Sequence, residues 1–542
     1  QSRRDTALKY SFPSRRSVVM SNRGIVATSQ PLAAQAGVNM LQQGGNAIDA
    51  AITTAAALTV VEPMSTGLGG DAFALVYLSK SNELKALNAS GRSPYAATLE
   101  ALQELGSPRM PETGIHTVTI PGTLDGWCSL LDSCGTMSLS QVLAPAIELA
   151  EHGFPVTEII SHTWNMNRAK LQLNAEASRT YLPKGRAPQP GEIFRQADLA
   201  RTLKKIAGGG RAVFYEGEIA RAMVKCSRGN GGLITMKDLN DHTGTWVTPI
   251  SASYRGYDIF ECPPNGQGLI ALLALNILEG YDLPSLGHNS PEYLHLVIEA
   301  IKLAFADADR YVADPDFADI PLNGLLSRSY AEQRRRLIDT NKASRGVAAG
   351  VPNTDGDTVY LAVTDGEGNG VSFINSLYEA FGSGIVVEGT GICLQNRGGL
   401  FSLVAGHPNC IAPHKRPYHT IIPAMVFKDG KLLLTFGVMG GFMQPQGHVQ
   451  VLLNIIDFGM DVQTALNAPR FRYFPDAGCA FEPAFPAGVL RELADRGHHI
   501  VELDDPYSQK FGGGQAIMIH PENKTLIAGS DPRKDGCAIG VC

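Results

Sequence analysis

The sequence predicts an α+β fold with packed layers, from three observations. Apolar residues recur at helical spacing through much of the chain before Leu322, alternating strand-like runs crowd together after Thr358, and a polar stretch from Leu322 to Asp357 separates the two regions. At 542 residues the chain exceeds the size at which one hydrophobic core keeps growing, so two lobes or one large layered domain is expected.

Reading along the chain, Gly24–Ser29 (GIVATS) is a short strand. Pro31 then opens a helix that Gly44-Gly45 closes. AIDAAITTAAALTVV is a second helix, so rich in small residues that its neighbours must approach closely, and Glu62-Pro63 ends it. Gly67-Leu68-Gly69-Gly70-Asp71 precedes the strand-like AFALVYL. Its spacing fits neither a dinucleotide fingerprint nor a P-loop, which leaves a phosphate cradle as the weaker option. Amphipathic helices fill about 135 to 235, SASYRGYDIFECPP is a strand pair, and LIALLALNILEGY and EYLHLVIEAIKLAFADADRYV are long buried helices. The Arg334-Arg335-Arg336 run is expected on a solvated helix face, and His448 as a hydrogen-bonded helix residue. After the linker come TVYLAVTD, GVSFINSL, GIVVEG, TIIPAMVFKDGKLLLTFGV and GGQAIMIHPENKTLIAGSD; Asp429-Gly430 is a hairpin signal.

Composition narrows the function. Apolar residues are 44% and charged residues 18%, the balance of an ordinary globular protein. A net charge of -6 supplies no basic field for nucleic acid or an anionic membrane, so a small-molecule substrate is favoured. Nine cysteines form no CxxC pair and are odd in number, signalling neither a disulfide framework nor zinc; no metal and no cofactor are expected. No apolar segment follows the basic opening, and the apolar stretch Ala47 to Val61 falls short of the roughly 20 residues of a bilayer span. A soluble protein is expected, with the compartment left open and the cytoplasm slightly favoured over secretion.

A polar linker running into a threonine that opens a buried strand is physically odd unless that threonine becomes a chain terminus. A free N-terminal threonine carries its own catalytic pair: its hydroxyl is the nucleophile and its α-amine, with a pKa of about 8, is the general base. The plain alternative is a turn residue, Asp357, followed by a strand residue.

Several collinear motifs bear on this choice: GGNAIDAAITTAAALTVVEPMSTGLGGDAFAL, IPGTLDGW at 120–127, DTVYLAVTDGEGNGVSF, FGSGIVVEGTGI, HKRP at 414–417, VMGGF at 438–442, NAPRF at 467–471 and GSDPR at 529–533. Together they resemble the γ-glutamyltranspeptidase family over almost the whole chain. The resemblance implies a four-layer αββα sandwich of the N-terminal nucleophile hydrolases, made as one precursor that cuts itself between Asp357 and Thr358. Residues 1–357 then form a large subunit and 358–542 a small one, partners from one precursor, with a homo-oligomer left open. It also implies Thr358 as nucleophile, Ser376 as a partner hydroxyl, and Gly440 and Gly441 as oxyanion donors.

Departures from the family pattern are equally informative. The family's carboxylate-binding arginine has only a displaced counterpart, Arg92. Its ammonium-binding aspartate becomes Leu400 in Gln395-Asn396-Arg397-Gly398-Gly399-Leu400, where Arg397 adds a positive charge. Its paired serines become His419 and Thr420, and an asparagine becomes Tyr378. Arg92, Tyr378, Arg397, His419 and Thr420 are therefore the candidate substrate-binding residues. Exchanging an acid for an arginine favours acyl donors with a carboxylate and no α-amine, such as glutaryl amides or oxamate, over γ-glutamyl groups. For Arg397 the plain alternative is a solvated or structural ion pair.

Overall fold

The computed structural model describes residues 16–106, 108–344, 357–475, 477–503 and 509–541. In chain order, the strands of its two large sheets are β1 (Val19–Ser21), β2 (Gly24–Thr28), β3 (Asp71–Leu78), β4 (Glu83–Ala89), β5 (Thr245–Val247), β6 (Ile250–Tyr254) and β7 (Tyr257–Glu261). Beyond the linker follow β8 (Asp357–Asp365), β9 (Gly370–Tyr378), β10 (Ala424–Lys428), β11 (Lys431–Met439), β12 (Gly513–Ile519), β13 (Leu526–Ser530) and β14 (Cys537–Gly540). One sheet runs β14–β2–β8–β9–β3–β4–β5 and the other β1–β13–β12–β11–β10–β7–β6, with antiparallel pairing throughout.

Helices cover the outer faces: α1 (Pro31–Gln42), α2 (Ala47–Val61), α3 (Thr123–Cys134), α4 (Leu139–His152) and α5 (Ala197–Tyr215) on the first sheet, α6 (Gly268–Leu278), α7 (Pro291–Tyr311) and α9 (Met443–Ile456) on the second. The short α8 (Arg328–Arg335) lies between α7 and α9 in sequence. Between the sheets, Phe73, Tyr360 and Ile374 of one meet Met425, Ile517 and Ala528 of the other in a separate apolar cluster.

Local chemistry explains the helix boundaries. Gln30 accepts from the N–H of Leu32 at 2.6 Å and Ala33 at 3.2 Å, and Pro31 follows where its missing N–H costs nothing. Asn46 and Asp49 form a capping box for α2. That helix is buried along its whole length, and Thr53, Thr54 and Thr59 tolerate this because each hydroxyl donates back to a carbonyl of the preceding turn. Asp429 (φ 50°) and Gly430 (φ 70°) both sit at positive φ between β10 and β11, as a two-residue hairpin turn requires.

Strands crowd the region after the linker and helices the region before it, as expected, but the sheets are shared: seven of the fourteen strands in the two large sheets precede the linker, and β8 pairs with β2 on one side and β9 on the other. The arginine run is a solvated face only at Arg336, which is exposed. Arg334 pairs with Asp307 at 3.0 Å and donates to Leu303 O, while Arg335 donates to Asn276 O and Ile277 O, tying α8 to α6 and α7. Among the described residues every cysteine is free, and no helix is long and apolar enough to cross a membrane.

Candidate active site

Thr358 lies at the start of β8, fully buried, with its neighbour β9 bringing Ser376 alongside. The β8–β9 register shifts between 357 and 359, a bulge of the kind that re-aims a side chain. Thr358 Oγ1 is 3.1 Å from Ser376 Oγ. Ser376 Oγ already accepts from Tyr378 N–H at 2.8 Å and from Arg397 Nη2 at 3.1 Å. Either hydroxyl can donate across this pair, and with Ser376 as donor the contact would stabilise negative charge on the threonine oxygen.

Arg397 lies in a 3₁₀ turn, Arg397–Leu400, and is fully buried. Its Nη1 donates to Thr420 Oγ1 at 2.6 Å, its carbon centre sits 4.5 Å over the Tyr378 ring, and its buried Nε has no partner among the described residues. Among the described residues no carboxylate lies within ion-pairing distance of the guanidinium, so Arg397 is neither solvated nor part of a structural ion pair. Burial pulls its pKa down to about 10, opposed first by the negative charge of Asp71, and the group stays charged near neutrality. Tyr378 itself sits at φ 81°, a conformation unusual for a bulky side chain and common where function fixes the backbone.

The other candidates fall on both sides of this cluster. Gly440 (φ 121°) and Gly441 (φ 59°) link β11 to α9. Among the described residues their N–H groups donate to no turn, cap or side-chain acceptor. Gln267 Nε2 donates to both Gly441 O at 2.9 Å and Thr420 O at 2.7 Å, tying this corner to the residue that holds Arg397. His419 Nε2 is 3.1 Å from Asp71 Oδ2. Arg92 does not join the cluster: it donates to Thr243 O at 3.3 Å and lies 3.9 Å from Asp316.

Sequence reasoning missed Asp71, Gln267 and Gln395 as site residues. For Asp71 a signal exists, since a carboxylate heading the otherwise apolar strand DAFALVYL needs donors around it. The Gly69-Gly70 pair preceding it serves close packing: a Cβ on Gly69 would fall 2.0 Å from Cys393 O and one on Gly70 2.3 Å from Ser376 O. Backbone carbonyls of Cys393 and Ser376 therefore occupy the space that a phosphate-cradle reading reserves for a ligand.

A cavity of about 470 Å³ borders the cluster across Tyr378, with Leu400, Tyr418 and Phe442 forming an apolar wall and Asp309 and Glu379 adding carboxylates. Burial raises the pKa of both acids.

Three buried histidines predict acid sensitivity. Burial is the main cause that pulls His242, His419 and His498 down to about 3. Unfolded histidine takes up a proton at about pH 6.5, so the unfolded chain binds more protons than the folded one between roughly pH 6.5 and 3, and stability falls across that window as pH drops. The urea midpoint is expected to be lower at about pH 5 than at about pH 7, with a shallower dependence in His498→Gln; a midpoint independent of pH would contradict it.

The family model of gamma-glutamyltranspeptidases matches residues 33–541. The chain belongs to that family. It is a hydrolase/transferase acting on amide bonds, and its relatives come from more than one branch. The glutathione hydrolase-like YwrD proenzyme of Bacillus subtilis (strain 168) is 40% identical over 96% of this chain and 99% of its own. The acylase ACY 1 proenzyme of Pseudomonas sp. (strain SE83) is 36% identical over 96% of this chain and 94% of its own. The crystal structure of a cephalosporin acylase from Bacillus halodurans superposes with a TM-score of 0.92 at 45% identity, covering 98% of each chain. This family member therefore shares with that acylase its mixed α/β fold of antiparallel sheets.

Proposed function

We propose that the chain is an N-terminal-threonine amidohydrolase and acyltransferase for small carboxylate-bearing amides, matured by its own cut between Asp357 and Thr358. Residues 1–357 become the large subunit and 358–542 the small one, within a four-layer αββα sandwich. The layering is supported by apolar clusters between the sheets and on both outer faces, and the proenzyme names of the relatives favour the cut.

In the continuous chain Thr358 has an amide in place of an amine, so its hydroxyl attacks the Asp357 carbonyl and forms an ester that water opens. The new α-amine then serves as base. It takes the hydroxyl proton as Thr358 Oγ1 bonds to the substrate's amide carbon, and it returns that proton to the departing amine. Ser376 donates to the attacking oxygen, and the N–H groups of Gly440 and Gly441 hold the oxyanion. Water releases the acid from the acyl-enzyme, or an acceptor amine takes the acyl group.

The observation that carries the substrate class is Arg397, a buried cation with an unpartnered Nε and no carboxylate beside it. A substrate carboxylate across Nε and Nη2 would complete it, over the Tyr378 ring. His419 and Thr420 frame that position, and Arg92 lies outside it. Glutaryl amides and oxamate fit this demand. A γ-glutamyl group also presents an ammonium, for which the apolar Leu400 offers no partner, although the glutathione hydrolase-like relative keeps that substrate in contention.

Ammonia release from glutaramate and oxamate beside glutathione hydrolysis tests this, with turnover of glutathione alone as the outcome that overturns it. Arg397→Ala should raise KM for the preferred carboxylate amide roughly ten- to hundredfold, the worth of a charge-assisted hydrogen bond of about 1.5–3 kcal/mol. An unchanged KM removes Arg397 from the substrate site.

A further inference from the structure

One buried carboxylate, Asp71, bonds to both segments that flank the buried cation. Asp71 heads β3 directly opposite Ser376 in the β3–β9 register and is fully buried. Three donors converge on its carboxylate: Gly91 N–H at 2.9 Å and Gln395 Nε2 at 3.0 Å on Oδ1, and His419 Nε2 at 3.1 Å on Oδ2. His419 Nδ1 accepts from Ile421 N–H at 3.3 Å, so the hydrogen of this neutral imidazole sits on Nε2 and points at Asp71.

Two of those donors flank Arg397. Gln395 precedes it by two residues, and His419 immediately precedes Thr420, whose hydroxyl accepts from Arg397 Nη1. One carboxylate thus fixes both segments that aim the guanidinium at Ser376 and the Tyr378 ring. Its charge matters as well as its hydrogen bonds. Arg397 and Arg416 are both buried, and Arg416 Nε and Nη2 bond Ser90 O at 3.2 Å and Thr245 Oγ1 at 3.0 Å instead of a carboxylate. Burial pulls both arginines down to about 10; the Asp71 charge is the first to act against that pull in Arg397, whereas in Arg416 Asp314 and Asp316 act ahead of it. A buried guanidinium left without compensating charge is costly, and the Asp71 charge offsets that cost for Arg397.

We propose that Asp71 is a positioning residue for carboxylate recognition, holding Arg397 charged and oriented through Gln395 and the His419–Thr420 pair. This rests on Arg397 being the carboxylate anchor of the Thr358 site. It also gives the GLGGD segment a role beyond packing: Gly70, where a Cβ would fall 2.3 Å from Ser376 O, lets β3 approach β9, and Asp71 follows it opposite Ser376. Asn at position 71 preserves the shape but removes the charge and offers one acceptor oxygen to three donors.

A double-mutant cycle on Asp71→Asn and Arg397→Ala, measuring kcat and KM for glutaramate and the rate of precursor cutting on denaturing gels, tests the proposal. Asp71→Asn should raise KM at least tenfold with a smaller change in kcat, and the double variant should be no worse than Arg397→Ala alone, because both act as one unit. Losses that multiply in the double variant, or a wild-type KM in Asp71→Asn, overturn it. Should Asp71→Asn fail to fold, Gln395→Ala removes one arm and leaves the charge in place, and the same non-additivity with Arg397→Ala is expected. If the wild-type protein turns over none of the carboxylate amides, the substrate class fails, while the cutting rates of the same variants still decide whether the two residues act together.

Discussion

Thr358→Ala should yield an uncut chain of 542 residues with no amide turnover, where the wild type yields pieces of 357 residues and the remaining 185. A single hydroxyl is asked to do both jobs: in the precursor it attacks the Asp357 carbonyl, and in the mature protein it attacks the substrate. The variant should still fold. It removes one methyl and one hydroxyl at a strand end, leaving Ser376 without its Thr358 contact at a cost of about 1–3 kcal/mol, small against the core that the two sheets share. Thr358→Ser keeps the hydroxyl and the future amine and should retain part of both activities. The wild-type pieces should stay together without denaturant, because β8, β9 and β14 are laced among β2, β3, β4 and β5 in one sheet. Gel electrophoresis with N-terminal sequencing of the smaller piece checks all of this. A terminus other than Thr358, or full turnover by the alanine variant, would sink the assignment.

Gly440→Ala carries the second largest expected effect, a fall in kcat of roughly 10²–10³-fold, matching the loss of about one oxyanion donor worth 2.7–4 kcal/mol. The position has φ 121°, which an L side chain rarely adopts, and an added Cβ would meet Gly512 Cα at 3.0 Å and Met443 Cβ at 3.2 Å. The backbone must turn to relieve both, and its N–H turns with it. Gln267, bonded to Gly441 O, anchors the neighbouring residue, so the disturbance stays local and KM should change less than kcat. Steady-state kinetics with a thermal melt as control measures it. An unchanged kcat in a protein that melts normally would remove this corner from the chemistry.

The polar linker broken by an apolar strand suggested Thr358, and the family resemblance implied Ser376 as its partner; the structure places the two hydroxyls 3.1 Å apart, which a β-hairpin makes natural because both residues sit near the open ends of adjacent antiparallel strands. The exchange of an acid for Arg397 was visible as a change in pocket charge. Arg92 shows the reverse: it was chosen for its proximity to a motif, yet its side chain turns to Thr243 and Asp316, a matter of rotamer and neighbours that linear distance does not encode.

By itself the sequence determined the helix and strand types, the hairpin at Asp429-Gly430, the family, and the residue types available for chemistry, because these depend on local periodicity, capping and turn conformations. Only the tertiary structure decided that β8 inserts between β2 and β9, that Asp71 bonds both Gln395 and His419, and that Gln267 ties Gly441 to Thr420. Those facts join residues hundreds of positions apart. They are set by how two sheets stack and which buried donors find acceptors, a competition among long-range contacts that no local pattern records.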